Sequence, residues 1–485
     1  MKRPPDGLGP IIALDRRLAR PLHRQLYEGY RDAILDGRLR AGQRLPSTRV
    51  LAGELAISRI PVVTAFEQLV AEGFVESRVG AGSFVSSALP RAAGTPIVAA
   101  RGKPGPRRVP RAGAPRGPTP WFDGAGPFRI GHPALDEFPA EVWARLVARR
   151  ARMAPRRQMI YGEPMGFVPL REALADYLRT ARSMRCSAQQ IMIVSGSQQA
   201  LALTGHALLA PGDAVWVEEP GYTGARDALT LAGARQIAVP VDDDGLDVAA
   251  GIARCPTARA AYVTPSHQYP LGVILSAARR LQLLDWARRR GAWILEDDYD
   301  GEYRYDQQPI ASLHGLDTDQ RVIYLGTFSK VLFPAIRVGY LVIPEDLVAR
   351  FRAVRDAMDI FPAPLYQAAL YDFFRDGHFA RHLRRMRGVY GERRRVLVAA
   401  LERELGDVVK IGGDHAGMHL VVWLPPGSDD HDIAVRAARR EISVIPLSSF
   451  YAGARSRPGL VLGFGATRVS EIAEAVRQLG AVIRG

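Results

Sequence analysis

From Trp121 onward seven short apolar runs recur, at residues 190–194, 214–217, 236–241, 260–263, 293–295, 322–325 and 338–342, separated by stretches of helical periodicity. Runs this short and this continuously apolar suit strands buried on both faces. Their alternation with helices of roughly 10–15 residues implies βαβ units, so the expected class is α/β with a largely parallel sheet. Such sheets bind ligands beyond the carboxyl ends of their strands. The residues that follow each run are therefore the ones that bear on chemistry.

Those residues are polar, and varied. After the first run comes Ser195-Gly196-Ser197-Gln198-Gln199-Ala200, opening a helix whose free N–H groups and dipole suit a phosphate. After the second comes Glu219-Pro220-Gly221-Tyr222, with an aromatic placed to cover one face of a flat ring. The fourth leads into the polar turn Thr264-Pro265-Ser266-His267-Gln268-Tyr269-Pro270-Leu271-Gly272. The fifth, read as closing at Leu295, leads into Glu296-Asp297-Asp298-Tyr299-Asp300. A carboxylate there can keep a pyridine nitrogen protonated, and a nearby phenol can hydrogen-bond a ring oxygen.

The sixth run ends in Gly326-Thr327-Phe328-Ser329-Lys330, with Arg337 seven residues on. Lysine is scarce: of 65 Lys and Arg residues only Lys2, Lys103, Lys330 and Lys410 are lysines. Arginine stays charged and forms no imine, whereas a desolvated lysine loses its proton and becomes a nucleophile. Lys330 therefore reads as a Schiff-base lysine, and the natural carbonyl partner is pyridoxal 5′-phosphate.

The N-terminal part is different. Leu22, Leu26, Tyr30 and Ile34 fall at helical spacing before Gly37, and Ser47 opens a shorter helix with Leu51 and Leu55 inward. Ser58 caps a third helix in which Pro61 lies in the first turn, where its missing N–H costs nothing. Gly73 ends that helix, and two short strands follow around Val79-Gly80-Ala81. The order predicts a winged helix-turn-helix. Charge supports an anionic partner: residues 1–86 carry net +4, residues 87–120 carry +7 with no acid, and the remaining chain +4. Residues 87–120 are rich in Pro, Gly, Ala and Arg and read as a semi-extended tether, its basic side chains available to phosphates.

The runs Gly42-Gln43-Arg44-Leu45-Pro46-Ser47-Thr48-Arg49, Ile57-Ser58-Arg59 and Phe66 through Val85 resemble the GntR family of DNA-binding domains over residues 15–86. That resemblance implies DNA contact by Arg49, Ser58 and Arg59, with the wing turn at Gly80 reaching the minor groove. Ile60-Pro61 stands where polar residues are common. The C-terminal motifs resemble fold type I aminotransferases, and the whole chain is similar to MocR-type regulators. The implied architecture is α/β: a winged helix-turn-helix at 15–86, a linker at 87–120, and an aminotransferase-like effector and dimerisation part at 121–485, with its small domain from about 363.

The resemblance also implies roles. Lys330 would be the cofactor lysine, Asp297 would meet the pyridine nitrogen, Tyr299 the 3′-oxygen, and Tyr222 the ring face. Ser197, Gln198, Ser329 and Arg337 would hold the phosphate, joined by Tyr161 lent to a neighbouring subunit. Where relatives often carry an arginine for a substrate carboxylate this chain has Val461, with Arg455 or Arg457 as substitutes. The expected function is a pyridoxal-phosphate-dependent regulator that binds operator DNA as a homodimer and senses an amino compound or the cofactor itself. An active aminotransferase with an appended DNA-binding head is the alternative. Two cysteines fit a reducing cytoplasm, and no apolar run spans a membrane.

Overall fold

The computed structural model describes residues 14–78, 81–87, 126–153, 159–305, 311–453 and 457–485. The chain divides into two compact units, Met1–Pro110 and Arg111–Gly485, and each is described by itself. Gly80, nearly all of the linker and Arg455 lie outside the described residues.

In the first unit, α1 (Leu22–Leu35), α2 (Thr48–Glu54) and α3 (Arg59–Ala71) precede the antiparallel pair β1 (Val75–Arg78) and β2 (Gly82–Val85). Leu26, Tyr30 and Ile34 of α1 close on Leu51, Phe66, Leu69, Val75 and Val85, with Tyr30 edge-on to Phe66 at 5.3 Å. Leu22 and Leu55, expected inward, are half-buried at the rim of this core. Ser47 caps α2, its Oγ accepting from Val50 N at 3.3 Å. Ser58 holds the matching position on α3, but its exposed side chain makes no capping bond.

In the second unit all seven apolar runs become strands of one eight-stranded sheet: β3 (Ile191–Val194), β4 (Ala214–Glu219), β5 (Arg235–Asp242), β6 (Gly245–Leu246), β7 (Ala260–Val263), β8 (Trp293–Asp298), β9 (Val322–Thr327) and β10 (Gly339–Val342). The order is β3-β10-β9-β8-β7-β4-β5-β6. Strands β4, β5, β7, β8 and β9 pair in parallel. β10 runs against both neighbours, Gly339 facing Thr327 on one side and Val194 on the other, and the unforeseen β6 turns back on β5.

Both faces of the sheet are covered by helices and by apolar packing, with Trp216 stacked on Trp286 at 3.9 Å. A further, antiparallel sheet has the order β11 (Lys410–Gly412), β12 (His419–Trp423), β14 (Gly459–Gly463), β13 (Ile445–Pro446). Against it pack the helices His378–Leu405 and Val469–Arg484, whose apolar faces share its core. Cys186 and Cys255 are free and buried. Among the described residues no helix is long and apolar enough to cross a membrane.

Candidate cofactor site

One cavity of about 330 Å³ opens at the carboxyl edge of the large sheet, and it gathers eight residues singled out from the sequence: Ser197, Gln198, Tyr222, Asp297, Tyr299, Ser329, Lys330 and Arg337. The loop between β9 and β10 supplies three of these. Because β10 is antiparallel, that loop both leaves and returns at the ligand edge.

Lys330 Nζ donates to Gly131 O at 2.9 Å. Desolvation lowers its pKa, opposed by Asp300 and Asp297, and this favours the neutral, nucleophilic amine. Gly131 has φ +74°, a backbone conformation that strains other residues, and a Cβ there would lie 2.7 Å from Nζ and push the amine aside. The phosphate-like corner is built the same way. Gly196, at φ +119°, precedes the helix Ser197–Leu208, and a Cβ on it would lie 3.1 Å from an Arg337 Nη. A guanidinium thus stands at a helix N-terminus, where anions are favoured. Arg337 is itself left-handed at φ +50°. Ser329 N donates to Thr327 Oγ1 at 3.2 Å, and Gln198 Nε2 donates to the Tyr222 hydroxyl at 2.9 Å.

Asp297 lies inside β8 rather than after it, since the strand continues to Asp298: hydrogen-bonded pairing to β9 outlasts the apolar run. Its side chain is 4 % exposed; Oδ2 accepts from Tyr262 Oη at 2.9 Å, and buried Oδ1 has no partner among the described residues. Burial first, then neighbouring Asp298 and Asp300, push its pKa up to about 7 against the pull of Tyr262 and Lys330. Tyr299 donates to His267 O at 2.9 Å, and His267 Nδ1 lies 3.1 Å from Asp300 Oδ2.

Several cavity residues carried no assigned role in the sequence. Tyr262, Thr264 and Tyr269 come from β7 and the turn after it, and His419 arrives from β12 of the other sheet. His419 Nε2 is 3.1 Å from Pro270 O, and burial holds its pKa well below the usual histidine value. Beneath them Glu218 accepts from Thr264 N at 3.1 Å and Thr264 Oγ1 at 2.7 Å, and burial raises its pKa to about 7. The polar turn at 264–272 was the available signal; His419 had none, because only the fold brings β12 here.

Other expected residues lie elsewhere. Tyr161 is 80 % exposed, edge-on to Phe361 at 6.0 Å, and does not line the cavity. Val461 is buried in β14 with Val421, Ile445 and Phe450, while Arg457 stacks on Trp423 at 4.0 Å, away from the cavity lining. In the first unit Arg49, Ser58 and Arg59 are exposed, and Arg59 Nε donates to Thr48 Oγ1 at 3.0 Å.

Residues 22–85 match the bacterial regulatory proteins of the gntR family, and residues 128–476 match the aminotransferase class I and II family. The probable rhizopine catabolism regulatory protein MocR of Rhizobium meliloti is 39 % identical over 97 % of this chain and 95 % of its own length. The chain belongs to the MocR-type GntR regulators. The HTH-type transcriptional regulator TauR of Rhodobacter capsulatus is 33 % identical over 96 % of both chains. Among solved structures, the α-aminoadipate aminotransferase LysN of Thermus thermophilus superposes with a TM-score of 0.70 at 30 % identity, covering 75 % of this chain and 93 % of that one.

Membership in this family makes pyridoxal phosphate the cofactor and DNA a partner of the head. The cavity fits that cofactor on its own terms. It holds a desolvated primary amine, a buried carboxylate oxygen without a partner, and a glycine-lined helix N-terminus beside a guanidinium.

Proposed function

We propose that this MocR-type regulator senses an amino compound in the cavity around Lys330 and transmits its occupancy to the DNA-binding head. Bound pyridoxal phosphate supplies an aldehyde that condenses with primary amines. Lys330, with its depressed pKa, is the resident amine, and an effector amine competes with it. Asp297 would offer its open carboxylate to the pyridine nitrogen and keep a proton there, and Tyr222 would cover the ring. Ser197, Gln198, Ser329 and Arg337 would hold the phosphate, and the Tyr299 hydroxyl would supply a donor for the 3′-oxygen. The observation that carries the reading is the partnerless Oδ1 of Asp297 in the same cavity as the desolvated Nζ of Lys330.

The working form in this reading is a cytoplasmic homodimer. Exposed Met159, Ile160 and Tyr161 offer apolar area suited to a second copy, to whose phosphate Tyr161 would reach. Residues 15–86 serve as the head, 87–120 as the tether and 121–485 as the sensor, its small domain from about 363. Arg49, Ser58, Arg59 and Gly80 face the operator, and two heads imply paired half-sites.

Footprinting of the full chain on the DNA beside its own gene tests this, with and without pyridoxal phosphate and a panel of primary amines. An amine must change affinity or footprint length in the wild type and not in Lys330→Ala. Identical footprints under all conditions would refute sensing. Steady conversion of an amino donor with a 2-oxo acid would support an enzyme instead, for which the likeness to LysN over 93 % of its chain speaks.

A further inference from the structure

Helix α3 exposes an aliphatic side chain in its first turn. Val62, Ala65, Phe66 and Leu69 turn inward and are buried, but the outward face carries Ile60, which is 75 % exposed, and half-buried Val63. A surface helix ordinarily keeps its solvent face polar, and isoleucine is a weaker helix former than the charged residues common there. Beside Ile60, Thr64 turns its hydroxyl back to Ile60 O at 3.1 Å, so its polar atom is occupied within the helix. The surroundings are cationic: Arg59 is held by Thr48, and Arg49 stands exposed on α2.

We infer that Ile60 is a specificity-determining residue that reads the C5 methyl group of a thymine in the major groove. The inference rests on DNA binding by the head. In a helix-turn-helix the first residues of the recognition helix meet base edges. Among the groups displayed in the major groove, the thymine methyl is the one that rewards an aliphatic side chain. Isoleucine is stiff at χ1 and loses little freedom on contact. A second copy of this face would bring Arg49 and Arg59 against their own likenesses, whereas a duplex neutralises them.

The test selects duplexes from a random pool with the full chain loaded with pyridoxal phosphate. Each thymine of the selected site is then replaced in turn by deoxyuridine, which removes only the methyl. One thymine per half-site should show about fourfold weaker binding on replacement, the worth of one buried methyl. Ile60→Ala and Ile60→Ser, both at an exposed position, should bind thymine and uracil duplexes equally, with an unchanged salt dependence because no phosphate contact is lost. The inference is overturned if no thymine methyl matters or if the loss persists in both variants. It is equally overturned if the variants alter self-association by sedimentation and leave base preference intact. Selection of no duplex at all would instead refute DNA binding by the head.

Discussion

Asp297→Asn should push stability and cofactor affinity in opposite directions. The wild-type residue is 4 % exposed, one of its carboxyl oxygens has no partner among the described residues, and its pKa rises from 3.8 to about 7 on folding. A raised acid adds stability while protonated and loses it as pH climbs through the folded value. Cofactor-free wild type therefore pays up to about 4 kcal/mol above pH 7 to keep this group ionised. Asparagine retains an acceptor for Tyr262 and carries no charge. Urea unfolding of the cofactor-free proteins should give matched stabilities near pH 4, a widening advantage for the variant up to about pH 7, and a plateau beyond. Cofactor titration at pH 8 should show the reverse order. Replacing a charged partner of the ring nitrogen by a neutral one forfeits about 1–1.5 kcal/mol, roughly five- to tenfold in affinity. A stability gap that is independent of pH, a variant less stable than wild type at pH 8, or unchanged cofactor affinity would refute the reasoning.

Borohydride reduction of cofactor-loaded protein, followed by digestion and mass spectrometry, should place a pyridoxyl group on Lys330; Lys330→Ala should lose it while circular dichroism stays unchanged. Gly131→Ala should cut cofactor loading at least tenfold, measured by equilibrium dialysis, since its Cβ would sit 2.7 Å from Nζ in a left-handed backbone. Trp216→Ala removes a fully buried ring that stacks on Trp286 and donates its own indole N–H to Cys255 O at 3.1 Å, and should destabilise by about 3–5 kcal/mol in urea unfolding. Arg49→Ala should weaken duplex binding and flatten its salt dependence by about one phosphate contact.

Strands β3, β7, β9 and β10 were legible because each is buried along its whole length, which leaves a continuous apolar run in the chain, whereas the two-residue β6 leaves none. Strand ends were less so. β8 carries Asp297 and Asp298 within its last stretch of pairing, and a carboxylate buried by hydrogen bonding has no apolar signature. The direction of β10 could not be read, because Gly339–Val342 would be equally apolar either way up. The cavity residues on β9 and after β3 and β4 were visible as polar interruptions, since each lies next to its own strand. His419 and Tyr262 were hidden for opposite reasons: the histidine comes from a distant sheet, and the tyrosine resembles one more apolar strand residue. Tyr161 and Ile60 share a different lesson: each is exposed in a single chain, and the role proposed for each needs a partner beside it.

The reversal of β10 has a mechanical corollary. Gly339 is laced to Thr327 and to Val194, so residues 328–338 form a bight closed at its neck. Lys330 stands near one shank and Arg337 near the other. The two side chains are thus joined by a short stretch of backbone pinned at its neck. In the proposed sensing role, a change at the amine would therefore have only a few peptide bonds to cross to reach the arginine, before any domain had to swing.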